Sequence, residues 1–222
     1  MNQKKSRLSA NDYYDLGLKY ADGEGVSINL PESFKFFKKA ADLGHEKAIA
    51  KVAMSLESGE GTVVDVEEAM KYWLKKAELN CSIAQSIFAE YNAKLYNTGP
   101  PYTEYRDTAI RWWSKSAENL NYFSMYELGH FLIGLYMDDS FNMEYYDYLV
   151  LGYAWLLVAK TKIQDDDDLL RDVLHSLDQV KVHIETQMFY QTSLSEKKRN
   201  RLRQETLDEA DAKAKEILLG LN

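Results

Sequence analysis

Apolar and polar positions between residues 10 and 80 alternate at helical spacing, in short stripes interrupted by glycine turns. Leu16, Gly17 and Tyr20 precede the turn Gly23-Glu24-Gly25, and Phe36 and Ala41 follow it. Shifted by 36 residues, Val52, Ala53 and Leu56 precede Gly59-Glu60-Gly61, and Tyr72 and Ala77 follow. Three-to-four spacing predicts amphipathic helices. Recurrence at a fixed period of a few tens of residues predicts a stacked array of helix pairs.

The ends of these stripes carry their own signals. Ser9 or Asn11 is placed to cap a first helix running to about Ala21. Asn29-Leu30-Pro31-Glu32 supplies a capping side chain, an early proline and a glutamate that opens a second. Asp65 with Glu68 repeats the device. Gly44 closes one helix, and Asn80, which tolerates the left-handed conformation, closes its counterpart. A third unit keeps Ala84, Ala89, Ala109, Trp112-Trp113, Lys115 and Ala117, with four residues inserted and Tyr96 to Pro101 replacing the short turn. A fourth runs from Ser124 through Leu128-Gly129 to Tyr153-Ala154-Trp155. Small residues at Gly17, Ala53, Ala89 and Gly129 let paired helices approach closely.

Beyond Tyr153 the pattern changes. Leu169, Leu170, Val173, Leu177, Val180 and Ile184 predict one long helix. Another opens near Ser195-Glu196 and carries Leu202, Leu207, Ala210, Ala214, Ile217 and Leu218. An array needs an end unit with a polar outer face, and these two helices fit that need.

The first two units approach the pattern A-x3-L-G-x2-Y-x2-G-x-G-V followed by K-A-x2-W-x2-K-A-A-x2-G, carried here by Leu16-Gly17, Tyr20, Gly23-Glu24-Gly25-Val26, Lys39-Ala40-Ala41, Gly59-Glu60-Gly61 and Ala69-Met70-Lys71-Tyr72-Trp73. This resembles the SEL-one-like repeat, a relative of the tetratricopeptide repeat. The resemblance implies an all-α fold: a right-handed superhelical α/α solenoid of roughly four helix pairs with a C-terminal helical cap. The expected organisation is a disordered stretch over residues 1–9, the array over 10–160 and capping helices over 161–222.

The resemblance also implies where a ligand sits. In tetratricopeptide-like arrays the first helix of each unit lines the concave side. Transferring those positions onto this chain gives three columns: Asn11, Lys47, Ile83 and Phe123; Tyr14, Ala50, Ser86 and Tyr126; and Leu18, Met54, Glu90 and His130. The expected partner-binding residues are Asn11, Tyr14, Lys47, Met54, Glu90, Phe123, Tyr126 and His130. Packing is the competing role, for Leu18 and Met54 above all.

Charge narrows the partner class. A formal net charge of −8 disfavours nucleic acid, whose phosphates want a basic face. Between Asn121 and Lys160, Glu127, Asp138, Asp139, Glu144 and Asp147 accompany a run of aromatics including Tyr122, Phe123, Tyr126, Phe131, Phe141 and Tyr145. Acidic and aromatic together suit a basic protein partner. The basic cluster Lys197, Lys198, Arg199, Arg201 and Arg203 spreads around a helix and is followed by acids, as on a solvated face. No apolar run approaches a membrane span, and the N-terminus has no apolar signal core, so a cytoplasmic site is expected, with no membrane partner.

Candidate chemistry is thin. Cys81 alone forms no disulfide framework and reads as a small filler. Asp165 to Asp168 stand where the helix dipole favours acids, without the later ligands of a calcium loop. His45, His130, His175 and His183 make no zinc set, and no nucleophile elbow, P-loop or dinucleotide fingerprint is present. The expectation is a protein without catalytic residues, metal or cofactor. It acts as an adaptor that holds a protein or peptide in its groove, in one version an immunity-type inhibitor of a basic toxin. The alternative is a regulatory or envelope-biogenesis scaffold that self-associates through its C-terminal helices.

Overall fold

The computed structural model describes residues 8–99, 103–138, 146–190 and 195–221. Among them are ten helices: α1 (Ala10–Asp22), α2 (Leu30–Asp42), α3 (Glu46–Ser58), α4 (Val66–Glu78), α5 (Ser82–Thr98), α6 (Thr103–Glu118), α7 (Tyr122–Asp138), α8 (Tyr146–Lys162), α9 (Asp167–Tyr190) and α10 (Glu196–Gly220). The all-α fold is as the sequence implies. Residues 1–7, Pro100, Pro101, Asp139, Phe141, Glu144 and Tyr145, which figure in the expectations above, lie outside the described residues.

The 36-residue period holds at the level of coordinates: α1 and α3 occupy equivalent stretches, as do α2 and α4, each 13 residues long. Ser9 forms a capping box with Asp12, the Asn29 side chain accepts from the Glu32 amide at 3.1 Å, and Asp65 accepts from the Glu68 amide at 2.9 Å. His45 caps α3 through Nδ1, which accepts from the Ala48 amide at 3.2 Å. The second helix of each of the first three units is followed by a left-handed residue: Gly44 at φ 89°, then Asn80 and Leu120, both at 61°. Leu120 shows that the geometry persists after the glycine is lost. The four-residue insertion in the third unit is taken up as helix: α5 has 17 residues and runs through Tyr96 to Thr98, where a longer loop was expected. The reason is local, since no helix breaker precedes Gly99.

The chain divides into two compact units, residues 1–91 and 92–222, with the boundary inside α5. In the first, Ala40, Ala41, Ile49, Val52, Ala53, Ala69, Trp73 and Ala77 are buried between α1, α2, α3 and α4. Gly17 lets the Phe37 ring lie against α1, and the Ser33 hydroxyl donates to the Gly17 carbonyl at 2.8 Å. Polar ties join α4 to its neighbours: Lys38 donates to the Tyr72 hydroxyl at 2.6 Å, and Lys75 to the Ala41 carbonyl at 2.8 Å. The Tyr72 hydrogen bond, with help from Asp42 and Glu68, holds the Lys38 ammonium above its usual pKa.

In the second unit α8 is the hub. It buries Leu149, Val150, Gly152, Tyr153, Ala154, Trp155, Leu156, Val158 and Ala159, which cover its whole circumference, as a helix enclosed by others must. It packs on α7, α9 and α10. Burial, with Asp211 and Asp178 nearby, pushes the Tyr153 phenol up to about 12. Leu169, Val173, Leu177, Val180 and Ile184 form the buried stripe of α9. On α10 the buried stripe is Thr206, Ala210 and Ala214, while Leu202, expected inside, is 39 % exposed. Small side chains bring α10 close to α8, where the Tyr146 hydroxyl donates to Thr206 Oγ1 at 3.0 Å.

Candidate binding faces

In the first unit α1 carries Asn11 and Tyr14, α3 carries Lys47 and Met54, and the first part of α5 carries Glu90. Asn11, Lys47 and Glu90 are exposed, and Met54 is 54 % exposed, so the methionine is not packed away. Tyr14 is half-buried: its ring stacks on His45 at 4.1 Å and tilts against Phe37 at 5.5 Å. It therefore joins α1 to the start of α3. Of the other column members here, Ile83 is exposed and Ser86 is buried.

In the second unit Phe123, Tyr126 and His130 lie along α7. Phe123 and His130 are exposed. Tyr126 is half-buried, with its ring 5.9 Å from His130, and its hydroxyl shares a hydrogen bond with Ser176 of α9. Burial raises the Tyr126 phenol above its usual value, and the Ser176 bond opposes that rise. The α9 helix thus lies along the side of α7 that carries the candidate residues. Further along the same contact, Tyr136 meets the His183 ring edge-on at 5.8 Å, and burial lowers the His183 pKa. An open hollow of about 520 Å³ is lined by Met137, His175, Asp178, Gln179, Val182 and His183. His175 and His183 are eight residues apart on α9, and only the packing of α7 against that helix completes a hollow around them.

Among the described residues no group of three or more His, Cys, Asp or Glu side chains could hold a metal ion. None of the described helices is long and apolar enough to cross a membrane. Cys81 is a free, half-buried thiol at the start of α5.

The Sel1 repeat family model matches residues 10–45, 46–81 and 93–119. The chain carries Sel1 repeats. The first two matches coincide with the α1–α2 and α3–α4 pairs, and the third covers the end of α5, from residue 93, together with α6. The matched stretches end at residue 119, so the α7–α8 hairpin expected as a fourth Sel1 unit stands as an unmatched helix pair. Sel1-repeat proteins are generally scaffolds for protein interaction rather than catalysts.

No curated protein matches the chain. Solved structures do. A Sel1 repeat protein from Oxalobacter formigenes shares 20% identity over 86% of this chain and 76% of its own, with a TM-score of 0.49. A protective antigen of uropathogenic Escherichia coli with an SLR fold shares 17% identity, over 96% of this chain but only 62% of its own, with a TM-score of 0.35. An immunity protein from Pseudomonas aeruginosa shares 13% identity over 77% of this chain and 81% of its own, with a TM-score of 0.32.

Proposed function

We propose that this Sel1-repeat chain is a non-catalytic adaptor that binds a protein or peptide through the first helices of its repeats. The observation that carries the reading is the contrast between equivalent positions in α1 and α3. Packing positions stay apolar from unit to unit, as Leu16 with Val52, Gly17 with Ala53 and Phe36 with Tyr72, whereas Asn11 becomes Lys47 and Leu18 becomes Met54 on the same outward side. Backbone repetition with side-chain variation suits a face tuned to one ligand. Asn11, Lys47, Met54 and Glu90 supply contacts in the first unit, and Phe123 and His130 in the second. Tyr14 and Tyr126 are half-buried and hold their helices in place. The net charge of −8 favours a basic partner.

The test is co-purification from the native cell with wild type and with the pair Lys47→Glu and Met54→Ala. A stoichiometric partner recovered by wild type and lost by the variant supports the reading. No stoichiometric partner, or one that the variant retains, sinks it. The narrower version assigns a basic toxin or effector to that face, with the chain as its inhibitor. Co-expression with a toxic neighbouring gene tests it, and growth that is not rescued removes the inhibitor role.

A further inference from the structure

The turns joining first to second helices in the first unit form a surface that the adaptor face does not use. Residues 22–32 and 58–68 are equivalent in the repeat, and both expose apolar side chains where a turn is ordinarily polar. Ile28 is 65 % exposed and its counterpart Val64 60 %, with Val63 beside it at 79 %. The second turn rests on the start of α2, where the Leu30 carbonyl occupies the place a Cβ of Gly61 would need. Between them lies an open hollow of about 610 Å³, lined by Leu30, Pro31, Gly59, Gly61, Thr62 and Val63.

Within the two segments charge has one sign, and Lys19 of α1 lies against the first turn with its Cε 3.9 Å from the Cβ position of Gly25. Neither segment contains a lysine, arginine or histidine. Glu32 and Glu68 are engaged by Lys35 and Lys71 at 2.8 Å, and Lys38 reaches Glu68 at 3.8 Å. Asp22, Glu24, Glu60 and Glu67 are exposed and form no ion pair among the described residues. Turn segments that expose valine and isoleucine together with Asp22, Glu24, Glu60 and Glu67 complement a segment in which apolar side chains alternate with arginine or lysine.

We infer that this turn edge docks a basic, apolar segment of a partner protein, at a place separate from the α1 and α3 face. The apolar side chains enter the hollow beside Val63 and Leu30, and the cations meet Glu24 and Glu60. The inference stands independently of the adaptor face.

The test is fluorescence anisotropy of the full chain with a labelled peptide alternating arginine and valine. A length-matched arginine–serine peptide serves as the control. Binding to the first, weakened about tenfold in the pair Val63→Ser and Val64→Thr, supports the inference, since each valine contributes a buried side chain. Glu24→Lys with Glu60→Lys is expected to weaken binding by a similar factor and to flatten its salt dependence. Lys47→Glu is expected to leave it unchanged, so failure here is distinguishable from failure of the adaptor face. The substituted side chains are exposed, and unchanged circular dichroism confirms that the variants fold. Equal binding of both peptides, or variants that bind as wild type does, overturns the inference. So does sedimentation showing that wild type self-associates and Glu60→Lys abolishes it, which would assign the edge to the Lys197 to Arg203 stretch of a second copy.

Discussion

Two glycines set the distance between α7 and α8, and alanine at one of them tests whether that distance matters. A Cβ at Gly129 would lie 2.8 Å from the Gly152 carbonyl oxygen and 3.0 Å from Leu156 Cγ, and a Cβ at Gly152 would lie 2.8 Å from the Gly129 carbonyl oxygen. Ordinary contact begins at 3.4 Å, and the obstacle is backbone, so the helices must part by several tenths of an ångström along their most contacted pairing. Forcing a methyl into a packed interface costs about 1–3 kcal/mol. Replacing glycine by alanine inside a helix returns about 1 kcal/mol. Gly129→Ala should therefore be neutral to destabilising by about 2 kcal/mol. Gly134 lies on the same helix with nothing within 4 Å of its Cβ position, so Gly134→Ala should stabilise by the full helical gain of about 1 kcal/mol. Amide hydrogen exchange of α7 and α8 reads the second unit by itself and measures both variants against wild type. Equal stabilisation by the two alanines would refute the close crossing. The double variant with Gly152→Ala should cost less than the sum of the singles, because the first methyl has already parted the helices.

Leu120→Gly should stabilise the chain by about 0.5–1 kcal/mol, read from a urea melt, because glycine relieves the left-handed backbone at φ 61° and the lost side chain is half exposed. Asp65→Ala should destabilise the first unit by about 1 kcal/mol through loss of the bond from the Glu68 amide, seen as faster hydrogen exchange in the first turn of α4. Tyr153 has a folded pKa of about 12 against 10.0 for the free phenol. Between those values the unfolded chain has released a proton that the folded chain keeps, so stability falls as pH rises through the window. Tyr153→Phe should flatten that slope in alkaline melts. His183 has a folded pKa below 6.5, so the unfolded chain binds the proton first and stability declines as pH falls below that value. His183→Gln should remove this acid-side contribution, measured by thermal melts on the acid side of neutrality.

Much of the scaffold was legible because its signals are local. The helix starts at Ser9, Asn29 and Asp65, and the stops at Gly23, Gly44 and Asn80, are decided by a side chain and backbone within a few residues of one another. The candidate face was legible only as far as position. That Met54 stays outside, whereas Tyr14 leans on His45 and the Tyr126 hydroxyl turns to Ser176, depends on neighbours distant in sequence. The exposed turn edge had a readable signal in the pairing of Ile28 with Val64 and in the lack of basic residues within the two turn segments, but apolar residues in a stripe read first as core.

By itself the sequence determined the repeat register and the helix ends, because caps, left-handed residues and small packing positions act over one or two turns. Tertiary structure alone decided that α8 is enclosed on every side, that α10 docks through Thr206, Ala210 and Ala214 rather than Leu202, and that an inserted segment extends α5. Burial is a property of the space between helices. Which stripe fills that space is chosen by the closest approach the backbones can make, as at Gly129 and Gly152.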